Sequence, residues 1–254
     1  MNVPMVESEW VACSDPKPML RHLGCKAGER KRRLFACACC RRAWHLLADP
    51  RVRDAVETAE RYADKEASES ELEDASDCAE VAYRSATTKA GSHTAAHAAV
   101  SSTAGGLDAS FTAVLAAQGI VNPKDTADPS DCERASLDAE HADQTSLLRD
   151  IVGNPFHSVA LELSWLAWHR GAVTKIAKTI YDNRAFDRLP LLAEALANAG
   201  CTNEAILAHC RSGGEHVRGC WVVDLLLGMD EPRPERGWPL LGRERRPRRV
   251  LPAE

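Results

Sequence analysis

Two short segments of the chain concentrate side chains that can bind a metal ion or act as nucleophiles. Residues 34–42 read Leu-Phe-Ala-Cys-Ala-Cys-Cys-Arg-Arg, and residues 200–221 contain three more cysteines together with two histidines. These segments hold most of the ten cysteines in the chain. Thiolates and imidazoles are ligands that zinc prefers in proteins. Cysteine is also among the most frequently buried residues, so the same pattern is typical of a cysteine-lined core.

Helical spacing limits which residues of the first segment can share a metal ion. Cys37 and Cys40 lie three residues apart on a predicted helix, and therefore on one face. Cys39 points to another face, and His45 lies about 12 Å from Cys37 along the helix axis. A zinc site would need further ligands from the second segment, where the candidates are His209, Cys210, His216 and Cys220. The spacing is not that of a zinc finger. We therefore favour buried core cysteines and keep one structural zinc as the alternative.

A nucleophilic cysteine is another interpretation of the C-terminal segment. If residues 216–227 form one helix, His216, Cys220 and Asp224 fall four residues apart on the same face. A thiol beside an imidazole that is oriented by a carboxylate is the arrangement of a cysteine-dependent hydrolase. A metal-dependent hydrolase would draw on the same cluster of cysteines and histidines. Hydrolysis is therefore the runner-up to a role without catalysis.

A further histidine pair lies in the alanine-rich middle of the chain. His93 and His97 share a helical face, but no acid stands between them, unlike the His-Glu-x-x-His helix of metalloproteases. We expect these two imidazoles to be exposed and solvated.

Hydrophobic spacing predicts helices nearly throughout, so we expect an all-α multi-helix bundle. Residues 1–152 form the predicted N-terminal bundle, and residues 153–229 form a compact C-terminal helical subdomain. The segment 122–130 is a predicted linker because it is polar and contains two prolines. Residues 230–254 are rich in proline and arginine, which predicts a disordered tail.

Charge is segregated along the chain although the formal net charge is only −5. The stretch Lys26–Arg42 is basic, and the stretch from Asp54 to Glu80 is mostly acidic. Because sequential helices pack as neighbours, we expect these charges to neutralise each other. The alternative is a nucleic-acid-associated protein that uses the Lys26–Arg42 face or the arginines of Arg236–Arg249.

The N-terminal residues lack the basic and apolar regions of a signal peptide, and no stretch reaches the roughly 18 apolar residues of a membrane span. We therefore expect a cytoplasmic protein with reduced thiols and no membrane partner.

Several longer motifs resemble an uncharacterised bacterial protein family that often has many paralogues in one genome. The resemblance is carried by LFACACCRR-x-W at residues 34–44 and by the C-terminal segment GC…ILAHCR…HVRGCWVVDLLLG at residues 200–228. It extends over most of residues 7–229 and includes shorter matches at residues 9–10, 15–16, 59–64, 148–151, 153–156 and 180–190. The resemblance implies a shared fold and no particular reaction.

These observations together favour a non-enzymatic helical interaction or scaffold module. Such a module could contain one structural zinc ion, and we expect its partner to be a protein.

Overall fold

The computed structural model describes residues 5–85, 90–103, 109–121 and 131–229. Within these ranges the protein folds into α-helices joined by turns, with no β-strand, which confirms the all-α class. No helix in the described ranges combines the length and hydropathy that crossing a membrane requires. The predicted linker at 122–130 and the arginine-rich tail from residue 230 lie outside these ranges. The disorder of the tail therefore stays a prediction.

In the described ranges, eight helices precede residue 153. They are α1 (Glu7–Ala12), α2 (Pro16–Leu23), α3 (Glu29–Arg42), α4 (Pro50–Ala63), α5 (Glu69–Ser85), α6 (Ala90–Thr103), α7 (Ala109–Val121) and α8 (Asp131–Val152). Five more follow, namely α9 (Leu163–Ala167), α10 (Ala172–Asn183), α11 (Leu189–Asn198), α12 (Glu204–Arg211) and α13 (Trp221–Leu227). Short 3-10 turns lie at Gly24–Ala27, Trp44–Leu46, Trp168–Arg170 and Phe186–Arg188.

Capping residues fix where several of these helices begin. Asp15 accepts a hydrogen bond from the N–H of Lys17 at 2.9 Å, and α2 starts at the proline between them. Asn203 caps α12 in the same way. A cap and a proline in the first turn satisfy N–H groups that have no helical partner. These local signals set the register of each helix and so decide which side chains face inward.

The buried hydrophobic side chains form two main clusters. The first draws on helices α1 to α8 and contains Cys37, Cys39 and Cys40, all of them fully buried. The second draws on α9 to α13 and contains Cys201, Cys210 and Cys220. The cysteines of the two segments therefore belong to different clusters.

Several basic residues of α3 pair with acids inside the fold, and two of them, Arg30 and Arg41, pair with the acidic stretch as the charge pattern predicts. Arg41 makes a two-pronged ion pair with Glu60 of α4, with both contacts at 2.6 Å. Arg30 pairs with Asp64 at the end of α4. Arg42 pairs with Glu140 of α8 at 2.8 Å. The side chain of Lys26 lies outside the described part of the structure.

The prediction of one helix over residues 216–227 is wrong, because α13 begins only at Trp221. Gly219 has φ +96°, a conformation that side-chain-bearing residues rarely adopt and that interrupts a helix. A Cβ at this position would lie 2.9 Å from Cδ1 of Leu34. Residues 216–220 therefore form a loop, which packs closely on α3. His216 and Cys220, the first and last residues of this loop, therefore do not lie on one face of a helix.

The expectation of solvated histidines in the middle of the chain is also wrong. His93 and His97 are half-buried, and the ring of Tyr83 lies 4.3 Å and 5.0 Å from their ring centres. Burial lowers the pKa of His97 below its ordinary value. Packing of α5 on α6 explains the difference, since it covers the face that carries both imidazoles.

Candidate metal centre

Four side chains that could hold a metal ion converge at the junction of the two hydrophobic clusters. One ligand atom from each of Asp150, His209, His216 and Cys220 lies within 4.8 Å of all the others. Asp150 Oδ1 is 2.6 Å from His216 Nδ1 and 3.1 Å from His209 Nε2. His209 Nε2 is 3.2 Å from the sulfur of Cys220. Among the described residues, this is the one group of three or more potential ligands that come so close.

The four residues come from separate elements. Asp150 lies in the last turn of α8, and His209 lies in the last turn of α12. His216 and Cys220 are the two ends of the loop 216–220, which we call the metal loop, and Cys220 also precedes the first residue of α13. A turn at residues 212–214 returns the chain from α12 towards the loop. A bound ion would therefore connect α8 of the first cluster to the C-terminal helices of the second.

Asp150 is held so that only one of its oxygens faces the imidazoles. Its Oδ2 accepts a hydrogen bond from the backbone N–H of Val217 at 2.9 Å, while Oδ1 points to His209 and His216. The side chain is only 3% exposed. Burial alone would raise the pKa of Asp150, but hydrogen bonds and charge from the two histidines hold this pKa below its ordinary value. The carboxylate is therefore ionised and oriented as a ligand through one oxygen.

The orientation of His216 is fixed from both sides of its ring. Nδ1 faces Asp150, and Nε2 lies 3.2 Å from the hydroxyl oxygen of Ser212. With Nδ1 as the ligand atom, Nε2–H donates to Ser212, which is the outer hydrogen bond that ligating histidines commonly make. Burial would lower the pKa of His216, but the hydrogen bond to Asp150 raises it. A protonated His216 can thus neutralise Asp150 when no cation does.

An aromatic side chain covers the site. The ring of Trp221 lies 5.2 Å from the ring of His209 and packs against Gly153 just beyond α8. A Cβ on Gly153, which has φ +71°, would lie 3.1 Å from Cγ of Trp221. Glycine at 153 therefore lets the indole approach the end of α8 closely, beside His209.

Three of the six ligand separations can be compared directly with those around a tetrahedral ion. Zinc bonds of about 2.0 Å to nitrogen and oxygen and about 2.3 Å to sulfur give ligand separations of roughly 3.3 Å and roughly 3.6 Å in a tetrahedron. The separations from His209 to Asp150 and Cys220, 3.1 and 3.2 Å, are within a few tenths of these values. The 2.6 Å separation of Asp150 and His216 would have to open by about 0.7 Å to reach tetrahedral geometry. One sulfur, two imidazole nitrogens and one carboxylate oxygen suit zinc better than Mg²⁺ or Ca²⁺.

The same side chains do not form a nucleophile–base relay. A relay needs one ring nitrogen of the base on the nucleophile and the other on the orienting acid. Here Nε2 of His209 faces both Cys220 and Asp150. Cys220 is fully buried, and desolvation raises the pKa of its thiol well above the ordinary value. A reactive thiol would be accessible and would have a lowered pKa.

Of the six ligands that the sequence offered, the structure brings together His209, His216 and Cys220. Cys37 and Cys40 lie instead in the first hydrophobic cluster, where burial raises the pKa of both thiols well above the ordinary value. Cys210 is buried in the second cluster and is not one of the four converging residues. The C-terminal segment does reach α3, but through pairs such as Gly219 with Leu34 and Asp224 with Arg30 rather than at the cysteines.

Asp224, the predicted orienting acid, lies apart from His216. It is fully buried and accepts a hydrogen bond from Arg30 at 2.6 Å. The triad of Cys220, His216 and Asp224 is therefore not assembled. The physical reason is the loop at 216–220, which removes His216 from the helix that carries Asp224.

The sequence interpretation missed Asp150. A usable signal was present, because this acid stands among the apolar residues Leu147, Leu148 and Ile151 at the end of a predicted helix. An ionised group on an apolar helix end needs a partner if it is buried.

Comparisons with known proteins give no family for the chain. Neither protein-family profiles, nor curated proteins, nor solved structures yield a match. The resemblance to a paralogous bacterial family stays a prediction, and function has to be argued from the geometry of the site.

Proposed function

We propose that this protein is a non-enzymatic helical scaffold or interaction module that contains one structural zinc ion. The ion is held by Asp150, His209, His216 and Cys220. The observation that supports this proposal is the convergence of four ligand atoms at buried or half-buried positions. The cost of burying such groups is offset when they share a cation.

A structural role is favoured over a catalytic one by the number of protein ligands. Structural zinc sites have four protein ligands, whereas catalytic sites have three and leave one position for water or substrate. The four converging side chains would complete a tetrahedral shell, and the ring of Trp221 lies 5.2 Å from that of His209. The ion would therefore act by fixing the C-terminal helices to α8.

Binding of nucleic acid through the α3 face is not favoured by the charge pairing. Arg30, Arg41 and Arg42 make ion pairs within the protein, and Arg33 donates to the carbonyl of Ser102 at 2.8 Å. Charges that are already paired in a buried setting contribute little to binding phosphate. A protein partner is the better candidate for the exposed surface of such a scaffold.

Zinc content and matched cysteine variants test the proposal. We expect the purified full-length protein to contain about one equivalent of zinc, and a content below about a tenth of an equivalent would contradict the proposal. Cys220→Ala should lose the zinc. Cys210→Ala is the control, because this cysteine is equally buried in the same cluster but is not one of the four ligands. Zinc loss in both variants, with helical content unchanged, would show that the ligand set is wrong.

A further inference from the structure

A buried ionic network lies next to the metal centre and joins the two halves of the chain. At its centre is Asp64, whose side chain is 1% exposed. This carboxylate accepts hydrogen bonds from Nε of Arg30 at 2.9 Å and from the hydroxyl of Tyr181 at 2.7 Å. Nε of Arg218 lies 2.7 Å from Oδ2 of the same carboxylate. Two hydrogen-bond donors, from α3 and α10, and the positive charge of Arg218 in the metal loop thus meet on one side chain.

A second buried carboxylate completes the network. Asp224 of α13 receives both terminal nitrogens of Arg30, at 2.6 Å and 3.2 Å. The guanidinium of Arg30 therefore lies between Asp64 and Asp224. Buried charges of this kind are tolerated only when each one has close partners of opposite sign. The network fixes α13 on α3 independently of any bound ion.

Arg218 connects this network to the metal loop. It lies midway between His216 and Cys220, and its guanidinium stacks over the ring of Tyr181 at 4.9 Å. Arg218 also donates to Glu66 at 3.1 Å. The guanidinium of Arg218 is therefore held by Asp64 and Glu66 of the turn that follows α4 and by Tyr181 of α10.

The neighbours of Arg218 in the loop are fixed as well. Val217 donates its backbone N–H to Asp150, and Gly219 packs against Leu34. Within the metal loop, one backbone hydrogen bond runs from the N–H of Cys220 to the carbonyl of Val217 at 3.0 Å, so the backbone of the loop alone gives its two ligands little order. Side-chain anchors must supply that order, because freezing a loop at the moment of binding costs affinity.

We propose that Arg218 is a positioning residue of the zinc centre, which acts through its ion pair with Asp64. The pair holds the middle of the metal loop so that His216 and Cys220 point to a common centre with Asp150 and His209. This inference rests on the proposed zinc site and adds the residue that pre-orders it. Outer contacts of this kind typically change metal affinity by about 10- to 100-fold.

The test compares Arg218→Met with Arg184→Met in the full-length protein. Arg184, which directly follows α10, forms an ion pair with Glu60 of α4. This ion pair joins the same two halves of the chain as that of Arg218, but it does not involve the metal loop. Zinc affinity is measured by competition with a chelator of known affinity, and the geometry of the site by the absorption of the cobalt-substituted protein. We expect R218M to weaken zinc binding by about tenfold or more and to reduce the sulfur-to-cobalt band, and R184M to stay within about threefold of the wild type.

Each outcome of this comparison decides a different point. Equal weakening in both variants would show that docking of the two halves, not the position of the loop, sets affinity, and would overturn the role of Arg218. Unchanged binding in R218M would overturn it too, while leaving the zinc centre intact. A wild-type protein that binds neither zinc nor cobalt would refute the proposed function itself.

A more conservative variant covers the case in which R218M does not fold. Arg218→Lys keeps the charge but replaces the planar fork by a single ammonium group, which fits Asp64 and the Tyr181 ring less well. We expect R218K to fold and to bind zinc more weakly than the wild type. Wild-type affinity and an unchanged cobalt spectrum in R218K would overturn the inference.

Discussion

Substitution of Gly219 by alanine tests whether the metal loop packs on α3 as described. The new Cβ would lie 2.9 Å from Cδ1 and 3.4 Å from Cβ of Leu34. Side-chain-bearing residues held in sparsely populated backbone regions cost about 1–3 kcal/mol. Overpacking of a buried contact costs about 1–3 kcal/mol in addition. We therefore expect G219A to lower the free energy of unfolding by about 2–6 kcal/mol.

The assay is urea unfolding followed by circular dichroism, with and without a zinc chelator. Gly213→Ala is the matched control, because this glycine lies in the same segment, has no unusual φ, and has open space around its Cβ position. We expect G213A to stay within about 0.5 kcal/mol of the wild type, as surface substitutions usually do. Changing Leu34 to valine removes the clashing atom, so the double variant should be less destabilised than the sum of the two single variants. A G219A protein as stable as G213A would refute the packing of the loop on α3.

Three further outcomes follow from the structure. Burial would raise the pKa of Glu60, but Arg41 and Arg184 hold this pKa below its ordinary value. The ionised Glu60 therefore stabilises the folded protein at pH values above the pKa that Glu60 has in the unfolded chain. This stabilisation is lost as the pH falls through the lower pKa of the folded state. Glu60→Gln should accordingly cost about 2 kcal/mol at neutral pH and flatten the acid side of a pH–stability curve, and an unchanged curve would contradict this. Asp150 raises the pKa of His216. In the zinc-free protein, the ion pair of these two residues therefore stabilises the fold at pH values below the pKa of His216 in the unfolded chain. This stabilisation is lost as the pH rises through the raised pKa of the folded state. Zinc needs deprotonated ligands, so the gain in melting temperature on adding zinc should increase with pH, and a gain that falls with pH would contradict zinc binding here. Asn203→Ala removes the cap of α12 and should cost about 1 kcal/mol in thermal unfolding, whereas no loss would show that the cap is not used.

The helices were predictable where the chain carries local signals. Pro16 and Pro50 follow capping aspartates, and both helices start at these prolines. The turn at 212–214 also predicts that His209 approaches the residues beyond it, which the distance to Cys220 agrees with. Such features depend on residues that are close in sequence.

The complete candidate site was not predictable, because it depends on contacts between distant parts of the chain. Asp150 meets His216 only when α8 docks against the C-terminal helices. The positive φ of Gly219 ends the expected helix early, and one glycine in a helical pattern does not indicate this by itself. Cys37 and Cys40 do share a helical face, but that face packs into the first hydrophobic cluster. Spacing alone cannot distinguish a face that binds metal from a face that is buried.

X-ray absorption at the zinc edge of the purified protein tests the proposed ligand set most directly. The site of Asp150, His209, His216 and Cys220 predicts one sulfur neighbour at about 2.3 Å and three nitrogen or oxygen neighbours at about 2.0 Å. In Cys220→Ala, the site predicts that either the sulfur signal disappears or the zinc itself is lost. In Cys37→Ala, it predicts that both the zinc and the sulfur signal remain. Two sulfur neighbours, or a sulfur signal that depends on Cys37, would contradict the proposed centre.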